Sequence, residues 1–213
     1  MNIIFDFDGT LADTSKLIVA TMQKTIKDCG LPFRNAEEIK STIGIRLEEI
    51  PSILWPDIKG IGVIFAEVYR KNFEKLKDII SIDLFPGVKD TLAFLKDNGY
   101  KMAVATSRSQ KSVIELTKQL GIRENFSYLL GGDSVEKGKP NPESINKILN
   151  EMDWNPQETI MVGDMAVDIL MGRNSGIKTC GVTYGNSRET ELEEAGADYI
   201  IDSFGLLPQL LNS

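Results

Sequence analysis

No histidine occurs anywhere in the 213 residues. That absence excludes Ser–His–Asp triads, histidine-ligated zinc and histidine general bases together. Acid–base chemistry in this chain falls to carboxylates, lysine, tyrosine or cysteine. Cysteine is scarce too: Cys29 and Cys180 lack the spacing of a metal site or a disulfide framework, and a reducing cytoplasm suits them. No apolar run approaches the roughly 20 residues of a membrane-spanning helix. Neither a basic leader nor a cleavage-site pattern precedes the apolar stretch beginning at Ile3, so no secretory signal is expected. Positive charge is in deficit, with 24 Lys and Arg against 31 Asp and Glu. The net charge of −7 argues against non-specific binding to nucleic acid or to an anionic membrane.

What is present is ordinary globular composition, 42% hydrophobic and 26% charged, enough for one full core and a small second lobe. Short apolar runs at 3–7, 102–106, 128–131, 159–162, 179–182 and 199–201 read as buried strands. Helical patterns alternate with the later ones, at 88–98, 110–120, 141–152, 167–174 and 189–195. Several stop before a glycine, and the third opens with Pro142 just inside its first turn. This alternation predicts an α/β fold with a Rossmann-like, doubly wound parallel sheet. Residues 16–82 break the pattern, with helical segments at 17–29, 35–42, 47–54 and 62–76 and no convincing strand. The chain therefore divides into a core of residues 1–15 and 83–213 and an all-helical cap inserted at 16–82, with "LFPGV" (84–88) as the return hinge.

Chemistry-bearing residues gather at the predicted C-terminal ends of strands, where open parallel sheets bind ligands. The first group is Asp6, Asp8 and Thr10 in "IIFDFDGTLADT" (3–14); if the strand runs on, Asp6 and Asp8 point the same way and crowd two negative charges. Thr106, Ser107 and Arg108 follow "MAVA", Lys139 lies in "KGKPNPE", and Asp164 and Asp168 lie in "VGDMAVD". Singly, each reads as a turn, a helix cap or a surface residue. Together they offer hard carboxylate oxygens suited to Mg²⁺, hydroxyl and N–H donors for phosphate oxygens at Thr106 or Ser107, and a point positive charge at Lys139. Phosphoryl transfer needs such a set.

With "DFDGTLADT", "LFPGV", "VATSRS", "GKPNPE", "MVGDMAVDI" and "EEAGADYIIDS" in place, the sequence resembles the haloacid dehalogenase superfamily, in its phosphoglycolate phosphatase-like branch. The resemblance implies Asp6 as nucleophile and Asp8 as general acid/base. It implies Thr106 and Lys139 as phosphate ligands, with Ser107 beside them and Thr10 in support. It also implies Mg²⁺ held by Asp6, the Asp8 carbonyl and Asp164, with Asp168 steadying the metal shell or Lys139. The expected activity is hydrolysis of a small phosphate monoester by a cytoplasmic monomer or weak dimer that binds neither nucleic acid nor membrane. The halide-cleaving branch needs no acid at position 8, and the phosphonoacetaldehyde-cleaving branch lacks that aspartate. The beta-phosphoglucomutase branch usually carries a histidine soon after the first motif, and this chain has none. A receiver-type phospho-accepting module, the reading from another class, is shorter and carries no helical insertion. Substrate choice is expected in the cap, where Arg46 of "TIGIRLEEI" (42–50) is placed to pair with a substrate anion. Phosphoglycolate, pyrophosphate, a sugar phosphate and a nucleotide all remain open as substrates.

Overall fold

The computed structural model describes residues 1–211. Its strands in chain order are β1 (Asn2–Phe5), β2 (Ala12–Asp13), β3 (Asp83–Leu84), β4 (Lys101–Ala105), β5 (Tyr128–Leu130), β6 (Thr159–Gly163), β7 (Lys178–Val182) and β8 (Tyr199–Ile201). Six of them form one parallel sheet in the order β5-β4-β1-β6-β7-β8. The chain lays down β1, β4 and β5 outward in one direction, then returns to build β6, β7 and β8 on the other side. Strand order thus reverses beside β1, and a crevice opens at the carboxyl ends of β1, β4 and β6.

Alternation along each strand explains the two apolar layers. Ile3 and Phe5 point into one cluster with Met102, Val104, Ile160 and Val162. Ile4 points into the other with Ala103, Ala105 and Met161. Helices close both faces: α5 (Val88–Asp97) supplies Leu92 and Leu95 to the first cluster, and α7 (Glu143–Met152) supplies Ile145 and Ile148 to the second. Because both faces are covered, β1 reads as an uninterrupted apolar run rather than an alternating one.

Between β2 and β3 lie α1 (Ser15–Asp28), α2 (Ala36–Lys40), α3 (Ile50–Leu54) and α4 (Gly62–Leu76), and no strand. Their apolar faces, including Leu17, Met22, Phe65 and Phe73, continue the first cluster. The remaining helices are α6 (Gln110–Gln119), α8 (Ala166–Asn174), α9 (Glu189–Glu194) and α10 (Leu207–Leu211). None of the helices among the described residues is long and apolar enough to cross a membrane.

The differences from the sequence reading are local. Strands β2 and β3 pair antiparallel, Ala12 with Leu84 and Asp13 with Asp83, at the root of the helical segment. Two-residue strands carry no periodicity, so nothing in the pattern announces them. Pro142 stands at the N-cap of α7 rather than inside its first turn. Strand β1 ends at Phe5 rather than Phe7, because Asp6 makes the last ladder bond, from its N–H to the Val162 carbonyl at 2.9 Å. The chain then folds back, and the N–H groups of Leu11 and Ala12 both donate to the Phe7 carbonyl at 3.1 Å.

Helix α8 approaches the sheet at a glycine. A Cβ on Gly172 would lie 2.5 Å from Thr179 Cγ2 and 3.0 Å from Met161 Cβ. Gly172→Ala is expected to push α8 off β6 and β7 and to destabilise the fold by about 1–3 kcal/mol. Chemical denaturation measures this, and an unchanged midpoint would show that the close approach is not needed.

Candidate active site

The crevice at the strand ends holds three buried carboxylates and one lysine. Asp6 directly follows β1, and Asp164 directly follows β6. Asp168 lies in the first turn of α8. Carboxylate oxygens from all three lie within 4.8 Å of one another. The Lys139 ammonium reaches in from the loop before α7, donating to Asp6 Oδ1 and, at 2.7 Å, to Asp168 Oδ1. Asp168 accepts on its second oxygen from the Met165 N–H at 3.1 Å, so it is engaged on both sides. Asp164 accepts from the Thr10 hydroxyl at 3.0 Å, and from the Asn186 N–H and side-chain amide at 2.8 Å each. Asp6 differs from both, since no described residue donates to its Oδ2.

Tight backbone permits this convergence. Gly9 sits at φ +85°, and a Cβ there would lie 2.2 Å from Asp164 Oδ2. At Gly185 a Cβ would lie 2.3 Å from Asp164 Cβ. Only glycine combines the left-handed turn after Asp8 with so close a neighbour.

Electrostatically the cluster is short of positive charge. Burial pushes Asp6 well above the usual carboxylate range; Lys139 pulls it down, and Asp168, Asp164 and, least, Asp8 push it up. Burial, followed by Asp168, pushes Asp164 up to about 7, against hydrogen bonds from Asn186 and Thr10. Burial works against the Lys139 ammonium, but Asp168 and Asp6 outweigh it and hold it above its ordinary value. One ammonium cannot neutralise three carboxylates. The deficit and the all-oxygen donor set fit a hard divalent cation.

The chain leaves the sheet after Asp6, so Asp8 is not held in register as the next strand position. The Asp8 carboxylate is gripped by Arg108: Nε lies 2.9 and 2.8 Å from its two oxygens, and Nη2 lies 2.5 Å from Oδ1. The Thr14 hydroxyl donates to Oδ1 at 2.6 Å. Arg108 stands in the "TSR" segment, yet nothing local in the sequence marks it as a partner of Asp8, one hundred positions away. Asn186, one of several polar residues in the loop after β7, likewise carries no local mark as a partner of Asp164.

Other predicted residues meet unexpected partners. Thr106 directly follows β4, is buried, and accepts from the Arg108 N–H at 3.2 Å. The Ser107 hydroxyl donates to the Gly44 carbonyl at 2.6 Å, so it ties the helical segment to the core rather than standing open. Arg46 does the same in the other direction, donating to the carbonyls of Gly132 (2.8 Å), Val135 (2.6 Å) and Glu136 (2.5 Å). Above Asp8 and Arg108, a cavity of about 310 Å³ separates the helical segment from the core; Met22, Ile45, Tyr69 and Phe73 form its apolar wall.

The raised carboxylates carry a pH consequence. A carboxyl whose pKa is raised on folding stabilises the fold while protonated and loses that contribution as pH rises toward its folded value. Without metal, the cluster should therefore weaken the protein from about pH 4 up to about pH 7. Divalent cations need the ionised form, so their stabilisation grows over the same range. Thermal melts in chelator and in excess Mg²⁺ at pH 5.5 and 8 check this. The metal-induced rise in Tm should be larger at pH 8, and an equal rise at both would contradict the coupling.

Comparison with known proteins agrees with this architecture. The family model described as haloacid dehalogenase-like hydrolase matches residues 3–182. A protein named probable phosphatase IndB from Dickeya dadantii is 35% identical over 205 residues, covering 95% of this chain and 89% of the relative. A pyrophosphatase, PpaX, from Halalkalibacterium halodurans is 31% identical, with 99% of this chain and 94% of the relative covered. The crystal structure of a haloacid dehalogenase-like hydrolase from Bacteroides fragilis superposes with a TM-score of 0.87 at 29% identity, covering 97% of this chain and 98% of that one. The parallel sheet, the carboxylates at its switch point and these matches together make the chain a member of the haloacid dehalogenase-like hydrolase family.

Proposed function

We propose that the chain is a Mg²⁺-dependent phosphatase that hydrolyses a small phosphate monoester through an aspartyl-phosphate on Asp6. The observation that carries this reading is the asymmetry of the buried cluster: Asp168 and Asp164 are engaged on both oxygens, while Asp6 is held on one side by Lys139 and leaves Oδ2 unclaimed by any described residue. Two relatives carry phosphatase or pyrophosphatase names, which supports the reading.

Asp6 Oδ2 attacks phosphorus, and the P–O bond to the alcohol breaks as the new bond forms. Asp8 gives its proton to the departing alkoxide oxygen. It then takes a proton from the water that attacks the aspartyl-phosphate, which regenerates the Asp6 carboxylate and releases phosphate. Lys139 and Thr106 hold phosphate oxygens in line with Asp6. Asp6, Asp164 and the Asp8 carbonyl would hold Mg²⁺, which supplies charge neutralisation on the phosphoryl oxygens. Asp168 keeps Lys139 aimed at Asp6. Residues 16–82 form the cap of this reading, closing the cavity over the leaving group and excluding water from the cluster.

Hydrolysis of p-nitrophenyl phosphate in Mg²⁺ tests the assignment. Asp6→Asn should keep the fold, read by circular dichroism, and lose more than about 10³-fold in kcat. Near-normal turnover by that variant would sink the nucleophile role. Asp8→Ala should slow an aliphatic ester such as phosphoglycolate by at least about 10²-fold more than the nitrophenyl ester, whose leaving group needs no proton. Equal losses on both substrates would remove the acid role.

A further inference from the structure

Arg108 is the least expected residue of the site. It is nearly buried, its side chain 9% exposed, in a seam between core and helical segment. The guanidinium lies over Phe7 of the core at 5.7 Å and over Phe73 of α4 at 5.1 Å. Its Nε and Nη2 grip Asp8. Nη1 has only a long contact, 3.4 Å to Ser112 Oγ, so a planar five-donor fork is left part-used at the wall of the cavity. Among the described residues nothing hydrogen-bonds the Tyr69 hydroxyl, and Tyr69 lines the same cavity.

The other arginines of that wall are partnered differently. Arg70 is paired with Glu48 at 2.6 Å. Arg46 is fixed to three carbonyls through Nη1 and Nη2, its Nε is buried without a partner, and none of the described carboxylates forms an ion pair with it. An anion entering the cavity therefore meets a positive field from Arg46 and, on Arg108, donors that the fold leaves part-used.

We propose that Arg108 determines specificity by exchange. Without substrate it clamps the Asp8 carboxylate; a second anionic group on the leaving alcohol, a carboxylate or a phosphate, takes over the guanidinium and frees Asp8. This rests on the phosphatase reading for the role of Asp8 and names the substrate class as phosphate monoesters with an anionic tail. A neutral tail leaves the clamp shut, so the Asp8 carboxylate is released only for a substrate of the right charge. The two aromatic contacts favour the exchange, because Phe7 and Phe73 attract the guanidinium and keep it in the seam while its donors change partner.

Binding of non-hydrolysable phosphonates to the full chain in saturating Mg²⁺, read by calorimetry, tests the exchange without turnover. The probes are 3-phosphonopropionate, ethane-1,2-diphosphonate and, as the neutral-tailed control, propylphosphonate. The wild-type chain should bind at least one anionic-tailed probe about tenfold or more tighter than the control, and their ranking tells carboxylate from phosphate. Arg108→Gln should reduce that preference to within about twofold. Should that variant fail to fold, Arg108→Lys, which keeps the charge without the fork, should retain only part of the preference. Asp8→Asn removes the competing carboxylate and should increase the preference. No preference in the wild-type chain, or one undiminished in the Arg108 variants, overturns the proposal. A preference lowered by Asp8→Asn overturns the exchange. Turnover of p-nitrophenyl phosphate by the wild-type chain and by Asp6→Asn judges the phosphatase reading separately.

Discussion

One buried ammonium among three buried carboxylates sets the terms for the rest of this structure. Lys139 touches Asp6 and Asp168, and Asp164 completes the cluster. Burying so many charges is costly unless each is paired or hydrogen-bonded. The surrounding chain supplies those bonds: Thr10 and Asn186 on Asp164, and the Met165 N–H on Asp168. What it leaves uncompensated is one oxygen of Asp6 and a surplus of negative charge. Both suit a site that completes itself with a cation and a phosphoryl group.

The sheet makes the cluster possible by bringing distant parts of the chain to one edge. Asp6, Thr106 and Asp164 follow three adjacent strands, β1, β4 and β6, whose order reverses at β1. The apolar clusters on both faces fix those strands in register, so the polar residues beyond their ends hold their positions without a covalent tether. Gly172 shows how closely this is built, since helix α8, which carries Asp168, rests against β6 and β7 with no room for a methyl group.

A second charge centre lies a few residues away and follows a different rule. Asp8 and Arg108 form a nearly buried bidentate pair, the strongest type of side-chain hydrogen bonding. Among the carboxylates that raise Asp6, Asp8 comes after Asp168 and Asp164. The pair of Asp8 and Arg108 faces the cavity beneath α4, where the helical segment and the core meet. Ser107 and Arg46 fasten that seam through backbone carbonyls rather than through charge pairs. Such contacts can open without stranding a buried ion.

Much of this was legible in the residues alone. Short apolar runs alternating with amphipathic helices determine a parallel α/β sheet, because buried strands and half-buried helices impose different periods. The order Asp6, Thr106, Lys139, Asp164 along the chain, each beyond a strand, determines which groups share the crevice once that sheet forms. Only the tertiary structure decided the pairings. The chain leaves the sheet after Asp6, the path after β4 delivers Arg108 to Asp8, and the docking of residues 42–46 commits Ser107 and Arg46 to carbonyls. Periodicity records which way a side chain leaves its own strand or helix. It carries no record of which residue, one hundred positions distant, the folded chain will set against it.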